Sequence, residues 1–355
     1  MEGMGESNIS AVNRPLLGIH LLHWRNSPMI FSSLYNMAMF NQSVGGGRSI
    51  SIIDDNSSLS VELLEKAERE LMEKPSWRDR DIQALRDMII DDPDLVSRSD
   101  DAFLLRFLRA RKFDYTRSFN LLQNYYMMRV KNANIFKDFT PSSLKHVHQL
   151  NLQGFLPYRD PEGRSIFVFR GGMWDPSLCS ADDLFRANVI CLEKQIDDPL
   201  TQINGVVAIL DMKMLGFHHI RHFSPSHALK IVSLVQDSFP ARFKAVHIVN
   251  EPALFDLILT IVKPLISEKI KKRIYTHGSN MKTLHSHIPP DILPAEFDGL
   301  LGPFSNKEFI EALAQDEEIF IQSQMYGYIS QIVEKGVKKS VSLDTFSPYR
   351  RVCIR

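Results

Sequence analysis

From Ser60 onward the apolar positions recur at helical spacing. Val61 to Lys74 can be capped by Ser60 and stops before Pro75. Ile82, Leu85, Met88 and Ile89 form one stripe between Arg80 and Asp91. Asp100-Asp101 opens Ala102 to Arg111, with Phe103, Leu104, Phe107 and Leu108 inward, and Tyr115 to Asn132 follows as another amphipathic helix. The pattern predicts an all-α module over residues 60–140. Beyond it the period changes. Ser165 to Arg170 is a β-rich run after the turn Asp160-Pro161-Glu162-Gly163, and Val206 to Asp211 is continuously apolar, as in a strand buried on both faces. Ala245 to Asn250 and Arg273 to His277 read as further strands. Between them lie helical patterns at Ala181 to Gln195, at Ser224 to Asp237 with Pro225 first, and after Pro252. Strands alternating with helices over short connections predict an α/β domain at 141–320, a mostly parallel sheet with covering helices.

The segment Pro252 to Arg273 departs from the amphipathic pattern. Ala253 to Val262 is apolar nearly all round, whereas the end carries Lys263, Lys269, Lys271, Lys272 and Arg273, opposed only by Glu268. The whole chain balances 42 Lys and Arg against 42 Asp and Glu, so this cluster is a local feature. An apolar surface beside a cationic one suits a segment that meets a bilayer from the water side. A buried α/β helix followed by a solvated charged end fits the same residues.

The 355 residues can hold two ordinary domains, or one large domain with a smaller attachment. The neutral charge balance argues against nucleic acid as a partner. Cys179, Cys191 and Cys353 lack metal-ligand spacing and a disulfide framework, which points to a reducing cytosol. No stretch reaches ~18 uninterrupted apolar residues, so no membrane span is expected. His20, His23, Arg25 and Pro28 interrupt the patchily apolar stretch at 16–40, and Gly45-Gly46-Gly47 reads as linker, so residues 1–59 read as a disordered extension. Residues 321–355 read as a basic tail, with Lys338, Lys339, Arg350 and Arg351.

Catalytic and cofactor motifs are missing. There is no G-x-S-x-G elbow, no phosphate-binding glycine loop and no G-x-G-x-x-G. Asp197 stands where a phosphatase loop built on Cys191 would need arginine. His218 and His222 have i, i+4 spacing without H-E-x-x-H, and His218, His219, His222 and His227 read as a solvated loop-helix junction. No enzyme, cofactor or metal is therefore expected. The helix Ala181 to Gln195 instead sets Phe185, Asn188, Ile190 and Cys191 among apolar neighbours, and the helix from Ala253 has more apolar surface than one sheet face needs. Together they indicate a helix-closed cavity that holds an apolar ligand by shape.

Several runs resemble the CRAL-TRIO lipid-binding family, and in particular its alpha-tocopherol transfer branch. They are Asp101 to Asp114 (DAFLLRFLRARKFD), Trp174-Asp175-Pro176, Asp237 to Arg242 with His247 to Pro252, and Ile261 to Arg273 followed by His277-Gly278 and Asp291 to Gly299. The resemblance covers residues 60–320. It implies a helical module on an α/β lipid-binding domain whose pocket is closed by a mobile lid, here about Asn250 to Arg273, with Pro264 expected to kink it. It also implies a basic cleft for phosphoinositide headgroups, mapped to Arg111, Arg242, Lys269 and Arg273. The family member compared has lysine at the position of Arg242, so charge is kept while geometry differs. Lys269 and Arg273 are four apart and would share a helix face.

The resemblance also places Phe185 at a pocket aromatic, and puts Asn188 and Leu192 where the tocopherol branch has two serines. A tocopherol-, retinoid- or sterol-like lipid is open. The lining expected is Phe167, Phe169, Trp174, Phe185, Asn188, Val189, Leu192, Ile209, Leu234, Phe255, Leu257 and Ile258. The function implied is a non-enzymatic, cytoplasmic lipid carrier, reversibly bound to endosomal or other phosphoinositide membranes. A phosphoinositide-binding trafficking adaptor that carries no ligand is the alternative.

Overall fold

The computed structural model describes residues 59–329. The expected extension before residue 59, and Lys338, Lys339, Arg350, Arg351 and Cys353 of the expected tail, lie outside them. The chain enters through helices α1 (Val61–Leu71), α2 (Arg78–Ile90), α3 (Asp101–Ala110) and α4 (Tyr115–Lys131). In α3 the stripe read from the sequence is the inward one, with Phe103, Leu104, Phe107 and Leu108 all buried. Asp100 caps this helix by accepting from the Phe103 N–H at 3.1 Å, and Asp114 caps α4 through the Arg117 N–H at 2.9 Å. Lys112 and Phe113 both take φ of +57° between the two helices, which turns the chain back on itself.

α1 ends three residues before the predicted Lys74, because Met72 adopts φ of +66°. That turn sends Glu73 inward to a buried clamp. Arg109 Nε and Nη2 donate to the two oxygens of Glu73 at 2.8 and 2.7 Å, and Nη1 donates to Gln202 Oε1 at 2.7 Å. Arg109 and Glu73 are 3% and 1% exposed. Gln202 belongs to a helix just before the third strand of the sheet, so one guanidinium joins α1, α3 and the α/β region.

That region is a five-stranded sheet in the order β1 (Gln153–Arg159), β2 (Ser165–Phe169), β3 (Val206–Asp211), β4 (Phe243–Val249), β5 (Ile274–Thr276). β1 runs antiparallel to β2, and the other neighbours are parallel. β1 is absent from the sequence expectation because Gly154 and Pro157 break its pattern. Pro157 sits at an irregularity in register on the sheet edge, where the missing N–H is tolerated. On one face Phe167, Val206 and Ala208 join the core shared with α5 (Ala181–Gln195), α3 and α4. On the other, Ile166, Val168, Val207 and Ile209 pack on Met281, Leu284 and Phe297. The predicted helix Ser224 to Asp237 is two structures: α6 (Pro225–Ser233), then a π turn, Leu234–Ser238.

The clamp gives a stability prediction. Glu73→Ala leaves a buried guanidinium without its carboxylate, so it should cost about 3–5 kcal/mol in a urea titration. A loss under about 1 kcal/mol would place Glu73 with ordinary surface pairs.

Candidate functional site

A cleft of about 870 Å³ opens between α1, the α3–α4 turn, the π turn, the start of β4 and the segment preceding β5. Seven cations line it, namely Arg111, Lys112, Arg117, Arg242, Lys244, Lys269 and Arg273, against Glu70 and Asp237. All four basic residues expected from the sequence are thus in one cleft, although they come from well-separated stretches of chain. The shared helix face is corrected. The helical turn Glu268–Lys271 ends before Arg273, whose carbonyl instead accepts from the Val246 N–H at 2.8 Å at the start of the β4–β5 pairing. Arg117 and Lys244 were missed because they lie outside the stretches that suggested the cleft, and Lys112 was passed over although it follows Arg111 directly.

The cations perturb one another. Burial lowers the Lys269 ammonium below its ordinary value, and the charges of Arg273, Arg111, Arg117 and Lys112 lower it further. Arg111 is lowered first by burial and then by Arg117, with Asp237 acting the other way. A bound anion would relieve this repulsion. Several donors already have partners: Arg111 Nη2 donates to the Gln236 carbonyl at 3.1 Å, Arg273 to that of Phe243 and Arg242 to that of Ile203. Among the described residues, the side chains of Lys112, Arg117 and Lys269 make no hydrogen bond within the protein.

Beside the cleft lies α7 (Phe255–Val262), reading Phe-Asp-Leu-Ile-Leu-Thr-Ile-Val. A helix this apolar is ordinarily buried on all sides. Here Phe255 alone is buried, and Leu257 is 47% exposed. The expected kink at Pro264 is corrected to a break, because α7 stops at Val262 and Pro264 lies in the turn before Glu268–Lys271. Proline has no N–H with which to continue the helix.

Polar contacts fasten both ends of this segment. At its start Asn250 takes φ of +55°, donates its N–H to the Gly278 carbonyl at 2.7 Å and its side-chain amide to Asp211 at 2.8 Å, and Gly278 N–H donates to Glu251 at 2.9 Å. At its end Gln236 Nε2 donates to the Leu265 carbonyl at 3.2 Å, and Ser267 N–H donates to Gln236 Oε1 at 2.7 Å. Gln236 therefore touches both Arg111 and the turn after α7. Sequence reasoning missed it, because a π turn leaves no mark on apolar spacing.

Of the apolar candidates, Phe167, Trp174, Phe185, Val189, Leu192 and Leu234 are buried in the main core, with Phe169 packed against it. Phe255 and Ile258 pack with Met212 and Ile248 beneath α7. Two expectations are corrected. Ile209 lies on the opposite sheet face, since strand side chains alternate, and Leu257 points outward. Leu210 and Val246 instead join the main core to the residues under α7, and both stay half-buried in mid-sheet. Asn188, between Phe185 and Leu192 on α5, has its side-chain oxygen buried without a partner.

Cys191 is fully buried, and burial pushes its thiol up, away from nucleophilic use. His219 is not solvated as expected: it is buried, with Nδ1 accepting from the Gly216 N–H at 2.9 Å and Nε2 2.7 Å from the Trp174 carbonyl. Among the described residues no helix is long and apolar enough to cross a membrane.

Residues 149–299 match the family model described as the CRAL/TRIO domain, and residues 74–146 that of the Pinta-like UBA domain. A Mus musculus protein named alpha-tocopherol transfer protein-like is 44% identical over 266 residues, covering 75% of this chain and 78% of its own. Clavesin-2 of Homo sapiens is 41% identical over 264 residues, 74% of this chain and 81% of its own. A solved structure of Sfh5 aligns with a TM-score of 0.46 and 14% identity, over 76% of this chain and 99% of that one.

Gln236→Ala removes both side-chain contacts to the turn after α7. Amide exchange of residues 255–262 should rise about tenfold, the equivalent of one to two hydrogen bonds, with the sheet unaffected. Unchanged exchange in α7 would show that Gln236 does not restrain it.

Proposed function

This chain belongs to the CRAL/TRIO family, and from that membership we propose that it is a non-enzymatic carrier of one hydrophobic lipid that docks on phosphoinositide-bearing membranes. One observation carries the reading. Cations from distant stretches of sequence converge in a cleft next to a largely apolar helix in which Phe255 alone is buried and Leu257 is exposed. Neither half is explained by folding alone. The cleft concentrates like charge, and α7 leaves apolar surface in water.

In the proposed cycle α7 is a lid. Closed, it lies over Leu210, Met212, Val246 and Ile248 and shields the ligand from water. Open, its apolar side chains enter the interfacial region of the bilayer, while Arg111, Lys269 and Arg273 hold headgroup phosphates. Arginine forks match phosphate oxygens in pairs, and lysine adds a point charge. Gln236 gives the two sites a physical link, because it contacts Arg111 on one side and the turn after the lid on the other. A headgroup that draws Arg111 away would loosen the same residue that holds the lid.

The ligand is a tocopherol-, retinoid- or sterol-like molecule, mostly apolar with one polar end. Asn188 is the group suited to meet that end, because its oxygen is buried and unpartnered, which costs free energy until a hydroxyl donates to it. The protein would work in the cytoplasm, reversibly bound to endosomal or other phosphoinositide membranes.

The double variant Lys269→Glu with Arg273→Glu tests the docking step. Each cation near an anionic surface contributes about 1 kcal/mol, so reversal of both should weaken binding to phosphatidylinositol 4,5-bisphosphate vesicles about 100-fold or more. Unchanged cosedimentation would sink the proposal. Mass spectrometry of lipid extracted from the purified protein should find one hydrophobic species per chain, and an empty pocket would favour an adaptor instead.

A further inference from the structure

Two of the seven cations in the cleft already have an anion. Glu70, near the end of α1, places Oε2 3.0 Å from Arg242 Nη2 and 3.3 Å from Lys244 Nζ. Burial acts to raise its carboxyl, but the hydrogen bond from Arg242 and the charge of Lys244 outweigh this and hold it below the ordinary value. Glu70 is therefore ionised at neutral pH. The Arg242 side chain is 12% exposed and its Nη1 donates to the Ile203 carbonyl, so it is held in place. α1 is held too, because the Glu73–Arg109 clamp lies one turn further along the chain. By contrast Arg111, Lys112, Arg117, Lys269 and Arg273 form no ion pair among the described residues. The cleft thus has an open outer set of cations and an inner pair closed by a carboxylate.

We propose that Glu70 sets how the cleft responds to a second phosphate. A carboxylate and a phosphate present similar paired oxygens to a guanidinium, and Glu70 occupies the seat that Arg242 and Lys244 would offer. A headgroup with one ring phosphate is held by the outer cations and leaves Glu70 where it is. A headgroup with two ring phosphates reaches the inner pair only by displacing Glu70, so part of its extra attraction is cancelled. The consequence is a moderated grip on polyphosphorylated membranes, which lets a carrier leave again. This inference rests on the reading of the cleft as a headgroup seat.

The test compares the native protein with Glu70→Gln, which keeps the side-chain size and removes the charge. Binding is measured to phosphatidylcholine vesicles carrying phosphatidylinositol 4-phosphate or, at the same molar fraction, phosphatidylinositol 4,5-bisphosphate. The substitution should tighten bisphosphate binding about tenfold and monophosphate binding less than about twofold, since only the former gives up an ion pair. Equal tightening on both vesicles would reduce Glu70 to a contribution to net charge, and no change would remove it from the site. Either result overturns the proposal. If the native protein binds neither vesicle, the headgroup seat itself is wrong, a failure distinguishable from that of Glu70. Soluble inositol 1,4,5-trisphosphate provides the bilayer-free arm. The same gain from Glu70→Gln is expected there at weaker absolute affinity, whereas affinity equal to that for vesicles would overturn the lipid assignment in favour of a free inositol phosphate. A correctly folded Lys244→Met variant should lower the bisphosphate preference, and an unchanged preference would also count against the inner seat.

Discussion

The arrangement of the cleft depends on one buried guanidinium. Arg109 holds Glu73 with two hydrogen bonds and Gln202 with a third, and so locks α1 and α3 to the residues leading into β3. Arg111 follows Arg109 by one intervening residue, and Glu70 precedes Glu73 by a single turn of chain. The helical side of the cleft is therefore positioned from the clamp outward, and Arg242 and Lys244 are positioned by β4. A buried ion pair of this kind contributes little net stability over an apolar substitute, but removal of one partner is costly. Its value here is geometric: it fixes the position of the helical side of the cleft relative to the cations carried by β4.

α7 follows a different logic. α7 could bury more of its apolar surface, and its ends are instead fastened by Asn250, Gly278 and Glu251 on one side and by Gln236 on the other. A few hydrogen bonds, each of about 1 kcal/mol net, restrain a segment whose apolar surface is not used up by packing. The proposed cycle uses such an element in two positions of similar free energy, one over the sheet and one against lipid. The half-buried Leu210 and Val246 mark where α7 leaves the sheet incompletely covered.

Much of this was legible in the sequence, and the rest failed for physical reasons. The stripe Phe103, Leu104, Phe107, Leu108 and the apolar run Val206 to Asp211 have strong periods, and both took the expected places. The choice of Ile209 over Leu210 was an error of parity. A fully apolar strand does not announce which alternate side chains face which side. β1 was hidden by Gly154 and Pro157, whose tolerance depends on an edge position that only the assembled sheet defines. Arg273 was placed on a helix because spacing cannot show that the helix ends at Lys271. Glu70 and Gln236 carried no signal at all, since each matters through partners more than a hundred residues away or through a single π turn.

The central claim is that headgroup binding and ligand release are coupled through the contact between the cleft and the lid. The most direct measurement is the rate at which a fluorescent hydrophobic lipid, loaded into the protein, passes to acceptor vesicles matched in total charge, with phosphatidylserine replacing phosphoinositide in one set. Coupling predicts release several-fold faster to the phosphoinositide vesicles. Equal rates to both sets would contradict it, leaving a membrane-binding cleft and a lipid pocket that operate independently.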